Sequence, residues 1–174
     1  MNFAEYNVKD ANLEEILLAL KSLDTVEAVA LGGSRSTGAS DENSDYDIYV
    51  YCTEIPTAET RENLLEKYCS IAEFGNHYWE SEDNTVMNNG IPVDIIYREV
   101  DRFGRYIDTV IKGGKAFNGY TTAFWHNIKN SKVLFDKTGT FTKFRDMAQI
   151  DFPENLRSAI IKNNRNLLNG KLPS

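Results

Sequence analysis

The chain has 174 residues, of which 41% are hydrophobic and 26% charged. This length suits one main compact core, and the composition excludes a disordered chain or a fibrous repeat. The formal net charge of −7 repels a polyanion, and the densest basic stretch, residues 162–165, is short. An extended nucleic-acid surface is therefore not expected.

The cysteine content and the N-terminal residues bear on the compartment. Cys52 and Cys69 are too few for a disulfide framework and favour a reducing environment. The N-terminal stretch has no basic segment followed by an apolar core, and no window reaches the roughly 18 apolar residues of a membrane span. We expect a cytoplasmic protein without membrane association.

Hydrophobic periodicity and turn signals predict short strands interleaved with helices. In chain order we predict a helix from residue 10 or 12 to near 24, strands over 26–31 and 46–52, a helix over 57–69, a hairpin or loop over 75–90, a strand over 91–97, helices over 99–112 and 121–129, a strand over 132–136 and a final helix over 154–168. Pro92 indicates either that the third strand lies at a sheet edge or that Pro92 stands at the start of the strand. The pattern predicts an α/β (α+β) fold, a mixed central sheet with helices packed on it.

Three aspartates stand in unusual strand positions. Asp45 and Asp47 alternate with bulky residues, so in a strand they share one face. Asp94 lies in an otherwise apolar strand, where burying an unpaired carboxylate costs on the order of several kcal/mol. If the two strands are neighbours, the three carboxylates converge on an oxygen-only site suited to Mg²⁺, and a pair of such ions can activate an attacking oxygen and stabilise departing pyrophosphate.

A glycine-rich turn precedes the first two aspartates. In Gly32–Gly33–Ser34–Arg35 the glycines allow backbone N–H groups to approach phosphates, Ser34 adds a hydroxyl and Arg35 adds a planar cation. We therefore expect Gly33, Ser34 and Arg35 to bind a triphosphate.

Spacing rejects two other phosphate or metal motifs. The stretch from Gly33 to Ser40 resembles a P-loop, but Ala39 stands where the lysine belongs. The stretch from Asp41 begins like an EF-hand loop, but Tyr46 replaces its glycine and Cys52 its bidentate glutamate. Glu80 and Glu99 stay open as general bases, although each position also suits a cap or a surface acid. His77 and His126 have no ligand-spaced partner, which disfavours a zinc site.

Taken together, Leu31–Gly32–Gly33–Ser34, Asp45–Tyr46–Asp47 and Val93–Asp94–Ile95 resemble the signature of the DNA polymerase beta-type nucleotidyltransferase superfamily. The resemblance covers roughly residues 10–136. It implies a nucleotidyltransferase fold and two-metal transfer of a nucleoside monophosphate from a nucleoside triphosphate, with release of pyrophosphate. It also implies that Gly33 and Ser34 bind the triphosphate, that Asp45 and Asp47 are metal ligands, and that Asp94 completes the metal site or accepts a proton.

The resemblance weakens toward the C-terminus. We expect a nucleotidyltransferase domain over 1–150 and a C-terminal helix over 151–174, which is similar to the start of the helical domain that closes over the acceptor in many relatives. The acceptor pocket is then either incomplete or completed by a second subunit, as in a homodimer.

The main hypothesis from the sequence is a Mg²⁺-dependent enzyme that transfers AMP from ATP to a hydroxyl of a small molecule or a protein. A regulatory or antitoxin-like module that binds or modifies a partner protein is the alternative, and a nucleotide-binding domain without activity is a third. The sequence does not identify the acceptor, the base preference or the oligomeric state.

Overall fold

A computed structural model describes residues 10–38, 44–117 and 121–168, and within them a six-stranded sheet has helices on both faces. Residues 1–9, 39–43, 118–120 and 169–174 lie outside the described residues. The predicted domain over 1–150 and the predicted C-terminal helix over 151–174 are therefore described only in part. In chain order the elements are α1 (Ala11–Lys21), β1 (Val26–Leu31), α2 (Gly33–Thr37), β2 (Tyr46–Cys52), α3 (Ala58–Leu65) with a 3₁₀ turn (Glu66–Tyr68), β3 (Cys69–Asn76), β4 (Ser81–Met87), β5 (Pro92–Glu99), α4 (Val100–Ile111), α5 (Ala123–Asn130), β6 (Lys132–Asp136), α6 (Thr140–Ala148) and α7 (Glu154–Leu168).

The strands of the sheet follow the spatial order β3-β4-β5-β2-β1-β6. β2 and β5 run parallel, whereas the other described neighbours pair antiparallel. The sheet is therefore mixed, which confirms the predicted fold class. The parallel pair lies in the interior of the sheet, between two antiparallel arms.

Helix α1 covers one face of the sheet. Its N-cap residue Asp10 accepts hydrogen bonds from the main-chain N–H groups of Asn12 (3.0 Å) and Leu13 (3.3 Å), which satisfies donors that a helix leaves unpaired at its start. Its buried side chains recur at helical spacing and pack on apolar side chains from the central strands. They are Leu13, Ile16, Leu17 and Leu20.

The opposite face carries the second core, built from α4 to α7. Tyr51 of β2 lies at its centre, with ring centroids 5.3 Å from Phe141 and 5.5 Å from Phe103. Leu156 of α7 is fully buried in the same cluster, so this last helix packs on the domain. None of the described helices combines the length and apolar character needed to cross a membrane.

The structure differs from the sequence-based prediction in three places. The segment predicted as a hairpin or loop over 75–90 belongs to a hairpin, but its first strand begins earlier, at Cys69, where half-exposed side chains blur the alternation that marks a strand. Helices α2 and α6 were not predicted, because α2 has only five residues and α6 mixes polar and aromatic side chains. Pro92 is the first residue of β5, as one alternative predicted, but β5 is an interior strand, so the edge alternative is wrong.

A buried ion pair joins the edge hairpin to α3. Asp83 of β4 and Arg61 of α3 are 0% and 2% exposed, and Arg61 Nε lies 3.0 Å from Asp83 Oδ2. The N–H of Gly75 donates to Asp83 Oδ1 at 2.9 Å, and Arg61 Nη1 donates to Ser81 Oγ at 3.1 Å. The arginine also lies over the Tyr97 ring, 4.5 Å from its centroid. The two buried charges thus offset each other at a site that is closed to water.

We expect Asp83→Ala to lower the free energy of unfolding by about 3–5 kcal/mol, because it leaves a buried guanidinium without its counter-charge. Urea denaturation measures the loss. Asp108→Ala is the matched control, since it breaks the exposed Asp108–Lys112 pair at 2.7 Å and should change stability by less than about 1 kcal/mol. Equal losses in the two variants would contradict a special role for the buried pair.

Candidate functional site

Two aspartates lie side by side at the centre of the sheet. The parallel register of β2 and β5 pairs Asp47 with Asp94, which confirms that their strands are neighbours. Residues paired in this way point to the same face, here the face covered further along by α4, α5 and α6. Partial burial, followed by the charges of Asp45 and Asp94, raises the pKa of the Asp47 carboxyl above its ordinary 3.8. The three acids are thus electrostatically coupled.

Asp45 lies one residue before β2 and is exposed. The segment that carries it is held by Arg35, whose Nε donates to the carbonyls of Ser44 (2.8 Å) and Asp45 (3.1 Å). The guanidinium also lies over the Tyr46 ring, 3.9 Å from its centroid. In the structure, Arg35 therefore binds the main chain just before β2 and holds that segment in place. The sequence predicts a phosphate contact for this residue instead.

The glycine turn packs directly against Asp47. Gly33 has a φ of 60°, and a Cβ added to it would lie 1.8 Å from Asp47 Oδ2, so no side chain fits there. The N–H of Gly32 donates to the carbonyl of Asp47 at 2.8 Å. A Cβ on Gly32 would lie 2.3 Å from Cε2 of Tyr49. Both glycines are needed because the turn lies flat against β2.

A polar pocket of about 220 Å³ is lined in part by the same turn. It lies between α2 and the C-terminal end of α5, on the side of the sheet where β1 and β6 run. Its lining supplies hydroxyl, amide and imidazole groups and no carboxylate. The lining residues are Gly33, Ser34, Ser36, His126, Asn127, Asn130 and Ser131.

Tyr49 connects this pocket to β2, the strand that carries Asp47. Its hydroxyl accepts a hydrogen bond from Asn127 Nδ2 at 2.8 Å. Burial raises the pKa of Tyr49 to about 12, so the phenol stays protonated at neutral pH. Arg98 lies over the ring, 4.4 Å from its centroid, and forms a two-point ion pair with Glu80, both distances being 2.7 Å. Glu80 is thus part of a structural pair.

Glu99, the other acid that the sequence leaves open as a general base, caps α4. Its side chain accepts a hydrogen bond from the N–H of Arg102 at 3.3 Å. The carboxylate therefore satisfies a donor at the start of the helix. This contact favours the capping interpretation of Glu99.

The described acidic, histidine and cysteine side chains bear on whether a metal site is already formed. Within residues 10–38, 44–117 and 121–168, no three His, Cys, Asp or Glu side chains are gathered closely enough to form a ready metal site. The predicted ligand set Asp45, Asp47 and Asp94 therefore stays a prediction. Its basis is the register of Asp47 with Asp94 and the coupling of Asp47 to both other acids.

A comparison with protein families decides the assignment. The family described as Polymerase beta, Nucleotidyltransferase matches residues 14–140, well over half of the chain. The chain belongs to this family. The matched segment contains the glycine turn, the three aspartates and α5, so the predicted nucleotidyltransferase identity is confirmed. A search of curated proteins found no match.

Solved structures resemble this nucleotidyltransferase at low identity. A toxin–antitoxin complex with AMP-PNP aligns over 90% of this chain and 95% of that one, at 14% identity and a TM-score of 0.49. The Cid1 poly(U) polymerase aligns over 74% and 39%, at 20% identity and a TM-score of 0.42. The CD-NTase CdnG of Bradyrhizobium diazoefficiens in complex with GTP aligns over 99% and 76%, at 12% identity and a TM-score of 0.39.

The sequence did not predict that α5 of this nucleotidyltransferase lines a pocket with the glycine turn. His126 and Asn130 are four residues apart, so they lie on one face of the helix. Asn130 Nδ2 donates to the carbonyl of His126 at 2.7 Å, and its amide lies 3.2 Å from His126 Nδ1. A polar face on a helix that otherwise buries Phe124, Trp125 and Ile128 was the available signal.

We expect Gly33→Ala to abolish detectable nucleotide binding, because the new methyl group displaces the Asp47 carboxylate. The left-handed backbone adds a cost of roughly 1–2 kcal/mol. Gly38→Ala is a matched control, since Gly38 also has a positive φ, 78°, but nothing within 4 Å of an added Cβ. The thermal shift produced by Mg²⁺-ATP measures binding. An unchanged shift in Gly33→Ala would contradict the close contact with Asp47.

We expect Asp47→Asn to stabilise the ligand-free protein at pH 7. A raised pKa in the folded state means that ionised Asp47 lowers stability, fully so at pH values above the folded-state pKa. Relieving such like-charge contacts gains about 0.2–1 kcal/mol, roughly 0.5–4 °C in melting temperature for a chain of this size. Thermal unfolding should show this gain shrinking as the pH falls toward 3.8.

Asp151→Asn is the control for this effect, because Asp151 is exposed and lies outside the site. It should leave the melting temperature unchanged. A loss of stability in Asp47→Asn at pH 7 would refute the repulsion between the acids.

Proposed function

We propose that this chain is a Mg²⁺-dependent nucleotidyltransferase that transfers AMP from ATP to a hydroxyl group of a small molecule or a protein. The observation that carries the proposal is the pairing of Asp47 with Asp94 directly beside Gly33. A glycine turn that contacts one of these carboxylates and also lines a polar pocket suits a metal-bound triphosphate.

The carboxylates fit magnesium in chemical type. Asp45, Asp47 and Asp94 offer only oxygen donors, which Mg²⁺ prefers, and leave room for phosphate oxygens in its coordination sphere. Burial, followed by the charges of Asp45 and Asp94, raises the pKa of Asp47, and a bound cation would favour the ionised form. When bound there, Mg²⁺ would polarise the α-phosphate and offset the charge that develops on the leaving pyrophosphate.

The remaining groups would position the nucleotide and the segment that carries Asp45. Gly33 and Ser34 would hold the triphosphate, with its distal phosphates in the pocket between α2 and α5. His126 and Asn130 would then donate hydrogen bonds to phosphate oxygens. Arg35 would contribute by holding the segment that carries Asp45.

The reaction itself is a displacement at phosphorus. The acceptor oxygen forms a bond to the α-phosphorus while the bond from that phosphorus to the pyrophosphate oxygen breaks. The acceptor hydroxyl loses its proton to Asp94, and pyrophosphate leaves with the bonding electrons. Catalysis comes mainly from positioning and from charge stabilisation in the transition state.

A partner protein as the acceptor is the second candidate. Tyr78 and Trp79, in the turn between β3 and β4, are 76% and 78% exposed. Large exposed aromatic side chains are typical of protein-binding surfaces. The turn joins β3 and β4, and β4 pairs with β5, the strand that carries Asp94. The net charge of −7 favours a basic or small acceptor over a polynucleotide.

The experiment is incubation of the purified protein with each α-³²P-labelled nucleoside triphosphate and Mg²⁺. The acceptors are water, glycerol, amino sugars, and a cell extract cleared of small molecules. We expect ATP to give labelled product and pyrophosphate. Asp45→Asn and Asp47→Asn should each reduce the rate at least about 100-fold, because each would remove a charged metal ligand.

Label on a protein band would support the second candidate, and label on a small molecule the first. Asp151→Asn, an exposed carboxylate outside the site, is the control and should keep the wild-type rate. Failure of every nucleotide to yield pyrophosphate, or equal rates in the wild type and both site variants, would refute the proposed function.

A further inference from the structure

Two asparagines extend the row of polar side chains beyond Asp94. In the sheet, Asn84 of β4 is the register partner of Asp94, and Asn84 Nδ2 donates to Asp94 Oδ1 at 2.9 Å. Asn76 of β3 donates in turn from Nδ2 to Asn84 Oδ1 at 2.7 Å. All three side chains are partly buried. Hydrogen bonds therefore run in one direction, from the edge strand to the aspartate.

This direction fixes which end of the Asn84 amide faces the aspartate. An amide has a donor end and an acceptor end, and the hydrogen-bond network decides between the two orientations. Because Asn76 supplies a donor to Asn84 Oδ1, the NH₂ group of Asn84 faces Asp94. Asp94 Oδ1 is therefore the acceptor in this contact.

The order of the strands places this row on the acceptor side of the site. The pocket proposed for the distal phosphates lies next to α2 and α5, toward β1 and β6. β5 and β4 lie on the opposite side of β2. In an in-line displacement the attacking oxygen approaches opposite the leaving group. The acceptor hydroxyl would therefore arrive over β5 and β4, where Asp94 and Asn84 lie.

We propose that Asn84 is a positioning residue for nucleotidyl transfer. By occupying Asp94 Oδ1, it orients the carboxylate so that Oδ2 faces the incoming acceptor hydroxyl, and Asn76 keeps the Asn84 amide in the orientation that permits this. The inference rests on the proposed function. Asn84 lies one strand away from Asp47 and on the side away from the pocket, so its effect should fall on the transfer step and leave nucleotide binding intact.

The test compares Asn84→Ala, Asn84→Asp and Asn76→Ala by pyrophosphate release from Mg²⁺-ATP, with the acceptor that gives the fastest wild-type rate. Removing a group that orients a metal ligand or catalytic side chain typically costs about 10–100-fold in activity. We expect a kcat loss of that size in Asn84→Ala, a smaller loss in Asn76→Ala, and a KM for ATP within about twofold of wild type.

Asn84→Asp separates orientation from packing. Aspartate has nearly the shape of asparagine and can still accept from Asn76, but it cannot donate to Asp94 and places a like charge beside it. Because the shape is kept, a packing role predicts a smaller kcat loss in this variant than in Asn84→Ala, whereas a positioning role predicts a loss at least as large. Asn88→Ala is the control, because Asn88 is an exposed asparagine just after β4 that donates to the carbonyl of Lys67.

The outcomes are distinguishable. A wild-type protein that releases no pyrophosphate with any acceptor refutes the proposed function and this inference together. An active wild type with unchanged kcat in Asn84→Ala or Asn84→Asp refutes the inference alone. Equal losses in Asn84→Ala and Asn88→Ala, or a rise in KM for ATP that accounts for the whole loss, also overturn it.

Discussion

The parallel pairing of β2 with β5 is the constraint on which the site depends. It sets Asp47 and Asp94 in register on one face, and their charges, with that of Asp45, work against folding when no cation is present. The sheet tolerates this because both strands bury apolar side chains on the other face, including Ile48, Val93 and Ile95. Burial of these apolar side chains therefore offsets the repulsion between the carboxylates and keeps the two strands paired.

The glycine turn depends on the same pairing. Because Gly32 and Gly33 lie flat on Tyr49 and Asp47, the turn has little freedom to move away from the carboxylates. Asn127 holds the Tyr49 hydroxyl, so α5 is tied to the same strand. The pocket and the acids are thus connected through one side chain of β2, and a displacement of α5 would reach the glycine turn through Tyr49.

The sequence predicted those parts of the fold and site that depend on local patterns. The alternation in residues 46–52 and the apolar run around Asp94 predicted both strands, and their pairing confirms that they are neighbours. The edge hairpin was less predictable, because β3 and β4 are stabilised by long-range contacts such as Asp83 with Arg61. The contacts of Asn84 and His126 could not be predicted either, since they depend on strand order and on how α5 packs.

The two sides of the central strands differ in chemistry in a way that suits a directional reaction. Toward β1 and α5, the groups near the site are hydroxyls, amides and an imidazole, which can donate to phosphate oxygens. Toward β4, an amide donor holds a carboxylate that can accept a proton. A leaving group that gains negative charge is stabilised by donors, and an attacking hydroxyl is activated by an acceptor. In the proposed reaction this asymmetry would set the direction of displacement, with pyrophosphate departing toward α5 and the acceptor entering over β4.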